Sequence, residues 1–268
     1  MTPDLERFGG IARLYGLAAL EAFAQSHLAI VGIGGVGGWA AEALARSGVG
    51  HLTLIDLDDV CLTNLNRQVH ATTESVGKPK IEVMASRLKE INPAIELTLE
   101  HSFLTSDNIT TLLPETLNGI LDCIDSMRPK CALLAHCFHN KLSAYSSGGA
   151  GGRLSPQKIN TTDLAHTHGC SLLGQVRKNL RQHYGFPSGG AGKAKPFGIS
   201  AVFSSEQPRF PTSDGCTSHE RPDNLPSGLR CDAGYGTSTP VIGTFGLTLA
   251  QIALADLADL ANFGQSSP

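Results

Sequence analysis

An α/β fold with a mostly parallel sheet is what this sequence predicts, and three features predict it. The apolar run Leu28-Ala29-Ile30-Val31 leads directly into Gly32-Ile33-Gly34-Gly35-Val36-Gly37; a second run, Leu52-Thr53-Leu54-Ile55, ends on Asp56; and short apolar runs alternate with helix-length segments through the first half. Strands covered on both faces read as continuous apolar runs, and strand–helix alternation argues for right-handed crossovers. The first strand is expected at 28–32, followed by the glycine turn and a helix over 39–46. The second strand covers 51–56. A helix over Lys80–Ile91 stops before Asn92-Pro93, because a residue that precedes proline is driven out of the helical conformation. Further strands are expected at Glu96–Glu100, 119–124, 142–146 and 197–203. The arrangement is Rossmann-like: one domain over 1–268, with a nucleotide-binding core at 1–150 and an elaborated C-terminal part at 151–268 that carries additional strands and substrate contacts. Clustered glycines mark 185–192 as a mobile loop.

The glycine turn is a phosphate cradle. Without Cβ atoms, backbone N–H groups and a helix N-terminus can approach phosphate oxygens, and a carboxylate ending the second strand can take the hydroxyls of a ribose. Nicotinamide and flavin enzymes use the same turn, so the motif alone does not choose a nucleotide. The residues after Asp56 do: Asp56-Leu57-Asp58, then Asn64-Leu65-Asn66-Arg67-Gln68, then Gly77-Lys78-Pro79-Lys80. A dehydrogenase has no use for an arginine and a lysine here, whereas a triphosphate attacked at its α-phosphorus places growing negative charge on the leaving pyrophosphate. Read singly, Arg67 and Lys80 could also be ordinary solvated charges.

These pieces, with Asp122-Cys123-Ile124-Asp125 at the end of a later strand, resemble the ubiquitin-activating-enzyme-like adenylating proteins that also serve thiamine and molybdopterin synthesis. The resemblance implies that Gly32, Gly34, Gly35 and Gly37 cradle ATP, that Asp56 binds ribose with Asp58 beside it, and that Asn64, Arg67 and Lys80 hold phosphates. Asp125 would lie by the α-phosphate and a magnesium ion, with Arg67, Lys80 and Asp125 as the catalytic set. A monovalent cation is a further candidate ligand.

Within that family, Arg7-Phe8-Gly9-Gly10, Ala12-Arg13-Leu14-Tyr15-Gly16, Asp125-Ser126-Met127-Arg128-Pro129-Lys130, Gly148-Gly149-Ala150-Gly151-Gly152, Val202-Phe203-Ser204-Ser205-Glu206 and Cys231-Asp232-Ala233-Gly234-Tyr235-Gly236 resemble the tRNA threonylcarbamoyladenosine dehydratases. The resemblance implies ATP-dependent cyclisation of the threonylcarbamoyl group on adenosine 37 of tRNA, by way of an acyl-adenylate. It implies a homodimer in which Arg13 reaches the neighbouring subunit's nucleotide, and it allows a partner that accepts sulfur from a cysteine desulfurase. Cys231 is similar to the subgroup's functional thiol, which could take the acyl group before ring closure; a packing role is the alternative. Activation of a ubiquitin-like or sulfur-carrier protein is the other reading within the family. It would bring zinc-binding Cys-x-x-Cys pairs, and the sequence has none.

The remaining features bound the reading. Seven cysteines, an odd number, and a polar start at Pro3-Asp4-Leu5-Glu6-Arg7 point to reduced thiols in the cytoplasm. Cys123, Cys131 and Cys137 sit in apolar stretches as small core residues. His166, His168 and Cys170 lack a partner cluster at zinc spacing, and His136 and His139 fall on one face of a helix. A net charge of −3 argues against binding nucleic acid with the whole surface, yet Arg177, Lys178, Arg181, Lys193, Lys195 and Arg209 could track phosphates locally. The stretch 241–263 is apolar enough for a membrane span, but Asp256 and Asp259 interrupt it; a core or dimer-interface helix with Leu254, Leu257, Ala258 and Ala261 on one face is expected instead.

Overall fold

The computed structural model describes residues 4–188, 194–221 and 236–265, with side chains through 261. Two helices, α1 (Leu5–Tyr15) and α2 (Leu17–Gln25), precede a seven-stranded sheet. Its strands are β1 (His27–Val31), β2 (His51–Ile55), β3 (Glu96–Glu100), β4 (Gly119–Asp122), β5 (Ala144–Ser147), β6 (Ile159–Asp163) and β7 (Ser200–Ser204), in the order β3-β2-β1-β4-β5-β7-β6. Only β6 runs antiparallel, pairing Ile159 with Ser204 and Asp163 with Ser200. The sheet is therefore mostly parallel and Rossmann-like, as expected, and β6 is one of the additional strands expected of the C-terminal part, at a place the apolar pattern does not mark.

Helices cover both faces. On one lie α3 (Gly35–Arg46), α4 (Lys80–Ile91), α2 and α8 (Thr239–Gln265); on the other lie α5 (Ile109–Leu112), α6 (Met127–Asn140) and α7 (Ser171–His183). Alternation along β1 divides its side chains between them: Leu28 and Ile30 join the first core, Ala29 and Val31 the second. Each such leucine or isoleucine contributes about 1.5–3 kcal/mol by leaving water. A small pair, β8 (Phe210–Pro211) and β9 (Thr217–Ser218), stands apart from the main sheet.

Strand ends differ from the expected bounds for local reasons. Gly32 turns out of β1 with φ +93°, so the strand stops at Val31. The carboxylates of Asp56 and Asp122 each accept the N–H two residues on, from Asp58 and Ile124, and bend the chain where the run of apolar residues had suggested more strand. Asp163 accepts from the N–H groups of Phe197 and Gly198 and makes a turn of the segment expected to begin the last strand. Helix α3 begins at Gly35, inside the glycine turn, rather than at Trp39.

Helix α8 is long and apolar, with a mean hydropathy of 1.6 over its most apolar 18-residue stretch within 239–261. It packs on α3 and α2, burying Val241, Phe245, Leu249, Ala253, Leu257 and Ala258. Leu254, Leu257 and Ala258 are buried as expected, while Ala261 is half-buried. Asp256 and Asp259 are exposed, and the Tyr145 hydroxyl reaches Asp256. Gly246 lies so close to α3 that a Cβ would meet the Val36 carbonyl.

Candidate nucleotide-binding site

The C-terminal ends of β1, β2, β4 and β5 open into one cavity of about 1040 Å³. This is the edge at which open parallel sheets bind ligands. Its floor is the glycine turn. Gly32, Gly34 and Gly35 line the cavity, whereas Gly37 lies behind them, where a Cβ would overlap the Gly32 carbonyl oxygen. Gly37 thus keeps the turn tight, and the other glycines keep its surface bare.

Asp56 organises this turn. One carboxylate oxygen accepts the Ile33 N–H at 2.6 Å, the other the Asp58 N–H at 2.8 Å, and the side chain is buried at the cavity wall. Burial raises its pKa, while Lys80 and the two N–H groups pull it back. Lys80, first residue of α4, is buried and forms an ion pair with the half-exposed Asp58 at 2.7 Å. Both line the cavity, so anionic oxygens entering there would share the ammonium with Asp58.

The Arg67 guanidinium is held by the Thr63 carbonyl at 2.7 Å and by Asn66 Oδ1 at 2.9 Å, and the residue lines the cavity. Asn64 supports this loop from beneath: buried and outside the cavity lining, its Oδ1 accepts the Cys61 N–H. Asn66 ties the same loop to the start of α8 by donating to the Thr237 carbonyl and accepting from Thr239 Oγ1. Gln68 lines the cavity while buried, and its Oε1 has no partner among the described residues. An orphaned acceptor beside two cations and bare glycines fits a polar ligand that brings its own donors. Gln68 closes the Asn64–Gln68 motif, whose pattern alone assigns it no role. His70, under Gly38, is likewise buried with both ring nitrogens unpartnered among the described residues, and burial lowers its pKa to about 4.

Asp122 and Asp125 part company here. Asp122 is fully buried, ion-paired to Lys130 Nζ at 2.7 Å and hydrogen-bonded by Ser146 Oγ. Asp125 opens into the cavity; surrounding protein raises its pKa, with Lys130 the main opposing charge. Among the described residues no group of three His, Cys, Asp or Glu could hold a metal. Asp125 alone suits a magnesium ion, which keeps waters and takes one or two carboxylates plus substrate phosphates.

The remaining expected residues lie elsewhere. Arg13 is exposed on α1, outside the cavity lining. Cys231, Lys193 and part of the loop expected at 185–192 fall outside the described residues. Cys131 and Cys137 are buried, with pKa values raised to about 11 and 12, and Cys123 is half-buried at the cavity wall. His166 bonds to the Ala194 carbonyl, and Cys170 lies under Gly149. Two stretches that line the cavity went unread in the sequence: 102–106 after β3, and the α7 residues Leu172, Asn179 and His183 with Tyr184. Phe103, exposed in the first stretch, was the one visible signal.

Known proteins are similar to this chain in sequence and fold. The chain is 45% identical over 251 residues to the tRNA threonylcarbamoyladenosine dehydratase of Escherichia coli, covering 93% of this chain and 92% of that one. The crystal structure of that organism's enzyme in complex with ATP superposes with a TM-score of 0.84 at 40% identity, over 100% of both chains. The E. coli molybdopterin-synthase adenylyltransferase is 38% identical over 136 residues, 51% of this chain and 54% of that one. Residues 10–262 match the ThiF family, and the chain belongs to it.

Proposed function

We propose that this chain is an ATP-dependent enzyme that converts N6-threonylcarbamoyladenosine at position 37 of tRNA to its cyclic form. The observation that carries the reading is that Asp56, the glycine turn, Arg67, Lys80 and Asp125 face one cavity, in a chain alike along almost its whole length to enzymes named for that dehydration. Asp56 takes the ribose hydroxyls, and Gly32, Gly34 and Gly35 let the phosphates approach the backbone. A substrate carboxylate oxygen attacks the α-phosphorus, forming an acyl-adenylate and releasing pyrophosphate, whose charge Arg67 and Lys80 stabilise. An atom of the same side chain then closes on the activated carbonyl and expels AMP, so that the net change in the nucleoside is loss of water; proximity drives this second step. Asp125 would hold magnesium, which neutralises phosphate charge when bound.

The finer assignments belong to the same proposal. Residues 1–150 hold ATP and 151–268 meet the RNA. The enzyme works in the cytoplasm as a homodimer in which Arg13, exposed on α1, reaches the neighbouring nucleotide. Cys231 is the candidate thiol for a relay form of this chemistry, in which it would displace AMP as an acyl thioester and ring closure would then expel the thiolate in place of AMP; a sulfur-accepting protein of a desulfurase system is a partner. Protein-tail activation has less support, since likeness to the molybdopterin enzyme spans only half of this chain.

Exchange of labelled pyrophosphate into ATP tests the reading. Exchange that depends on tRNA carrying the threonylcarbamoyl group, with the cyclic nucleoside appearing in digested tRNA, is expected. Exchange driven by a sulfur-carrier protein and not by tRNA would replace it.

A further inference from the structure

The cavity is larger than its nucleotide end requires: about 1040 Å³ is at the top of the range of about 300–1,000 Å³ for small-molecule pockets. Away from the glycine turn it continues between α6 and α7, where Arg128, Ala132, Leu172, Asn179, His183 and Tyr184 form the walls. This second arm is chemically unlike the first. It has no carboxylate, two aromatic rings and a guanidinium with no partner among the described residues.

The surrounding charge is more telling. Between Ser126 and Ser205 the chain carries ten Lys and Arg against a single acidic residue, Asp163, in a protein whose net charge is −3. Asp163 is spent on backbone N–H groups of Ala165, Phe197 and Gly198. Helices α6 and α7 contain no acidic residue at all. The loop 194–199 joins the same face through Phe197, which packs on Phe186, itself stacked on Phe138 of α6. Some cations there are structural: Arg177 binds Thr167 Oγ1, and Arg181 lies over the Phe197 ring and bonds to the Pro187 carbonyl. Arg128, Lys178 and Lys195 are exposed and without partners among the described residues. A positive face around a cleft with aromatic walls is the chemistry that admits an unstacked base while tracking its phosphates.

We propose that the arm between α6 and α7 receives the modified purine of an RNA loop, with Tyr184 and His183 against the base, and that Lys178 and Lys195 track the adjoining phosphates. The inference rests on the proposed function and deepens it: the base enters from the α7 side, and its carboxylate-bearing side chain reaches along the cavity to the α-phosphorus. ATP and RNA then occupy opposite ends of one cavity and meet at Asp125 and Gly148–Gly151.

The test measures binding apart from turnover. Anisotropy of a labelled anticodon stem-loop carrying the threonylcarbamoyl group reads RNA affinity, and equilibrium dialysis reads ATP affinity, both on the full chain. Tyr184→Ala and His183→Ala should each weaken RNA binding about tenfold, on the scale of lost base–aromatic stacking, with Tyr184→Phe close to the parent. Lys178→Glu with Lys195→Glu should weaken it further and flatten the salt dependence by about 0.7 per lost phosphate contact. ATP affinity should stay within about twofold throughout. RNA affinity unchanged by these variants, ATP affinity falling in step with it, or no RNA binding by the parent would each overturn the proposal. Loss of RNA binding in the variants of a parent that binds but never cyclises the nucleoside would keep the RNA arm and remove the dehydratase reading.

Discussion

Lys130 Nζ lies 2.7 Å from Asp122 Oδ2, and both side chains are fully buried. The same ammonium donates to the Ile124 carbonyl at 2.9 Å, so one cation on α6 clamps the end of β4 to the turn that carries Asp125. Removing one partner of such a pair strands a charge. Lys130→Met should therefore cost about 3–5 kcal/mol of stability, measured by urea denaturation, and should displace Asp125 enough to lower kcat in whatever protein remains folded. A variant with parental stability would show the pair to be dispensable.

Arg67 and Asp125 separate binding from chemistry. Arg67→Ala should raise KM for ATP and lower kcat, and Arg67→Lys should recover little, because Thr63 and Asn66 orient a planar fork and not a point charge. Asp125→Asn should leave the fold intact and reduce pyrophosphate exchange by about 10²–10³, the loss typical for one charge-stabilising group. Exchange at the parental rate in both variants would remove them from the catalytic set.

Two neighbouring glycines should respond differently to the same methyl group. At Gly37 the new Cβ overlaps a backbone carbonyl, that of Gly32, which cannot move without opening the turn. At Gly35 it meets Cγ2 of Ile242 at 2.5 Å, the branch methyl of a buried side chain with a stiff χ1, so the head of α8 must shift, but no backbone atom of the turn is struck. Gly37→Ala should thus cost several kcal/mol, more than the usual 1–3 kcal/mol of overpacking, and abolish ATP binding. Gly35→Ala should lose about 1–3 kcal/mol and bind ATP weakly. Calorimetry of both with ATP ranks them.

Stability should fall in mild acid. His27 stacks on His51 at 3.5 Å between ring centroids and bonds to Thr53, with Thr116 and Glu96 nearby; burial first and then His51 lower its pKa to about 4. His70, lowered to about 4 by burial and then by Lys80 and Arg87, behaves alike. Both are neutral in the fold at pH values where the unfolded chain, with its ordinary value near 6.5, already takes up protons. Their contribution is complete above about pH 6.5 and is lost as the pH falls toward about 4. Asp56 and Asp125, whose pKa values are raised, work in the opposite sense as they protonate. Midpoints in urea at pH 7.5, 6 and 5 should fall in order, and His27→Gln should flatten the trend. A flat parent profile would contradict it.

How much of this was legible depends on how locally each feature is encoded. The glycine turn and Asp56 are adjacent to apolar runs that can only be buried strands, so that half of the site could be read directly. The division of labour between Asp122 and Asp125 could not, since it depends on Lys130, one helix turn into α6, and on Ser146 from the next strand. Asn64 is a ligand candidate from its motif alone, and the motif does not reveal that its Oδ1 also accepts the Cys61 N–H within its own loop. The antiparallel β6 has the burial pattern of an edge, with Asn160 and Thr161 exposed and its other residues half-buried, and so lacked the apolar run that announced the central strands. The arm along α7 was hidden for another reason: its wall residues come from a polar helix face whose partner, α6, is distant in sequence, and only packing brings them to the cavity.

Ile242 and Thr237, at the head of α8, line the same cavity as the glycine turn some two hundred residues earlier, and Trp39 of α3 rests against Gly243. The site is thus finished by a helix made some two hundred residues after its glycine turn. A nascent or truncated chain that ends before α8 has the glycine motif but lacks one wall of the pocket and the cover over α3, and so it neither holds the nucleotide nor spends it.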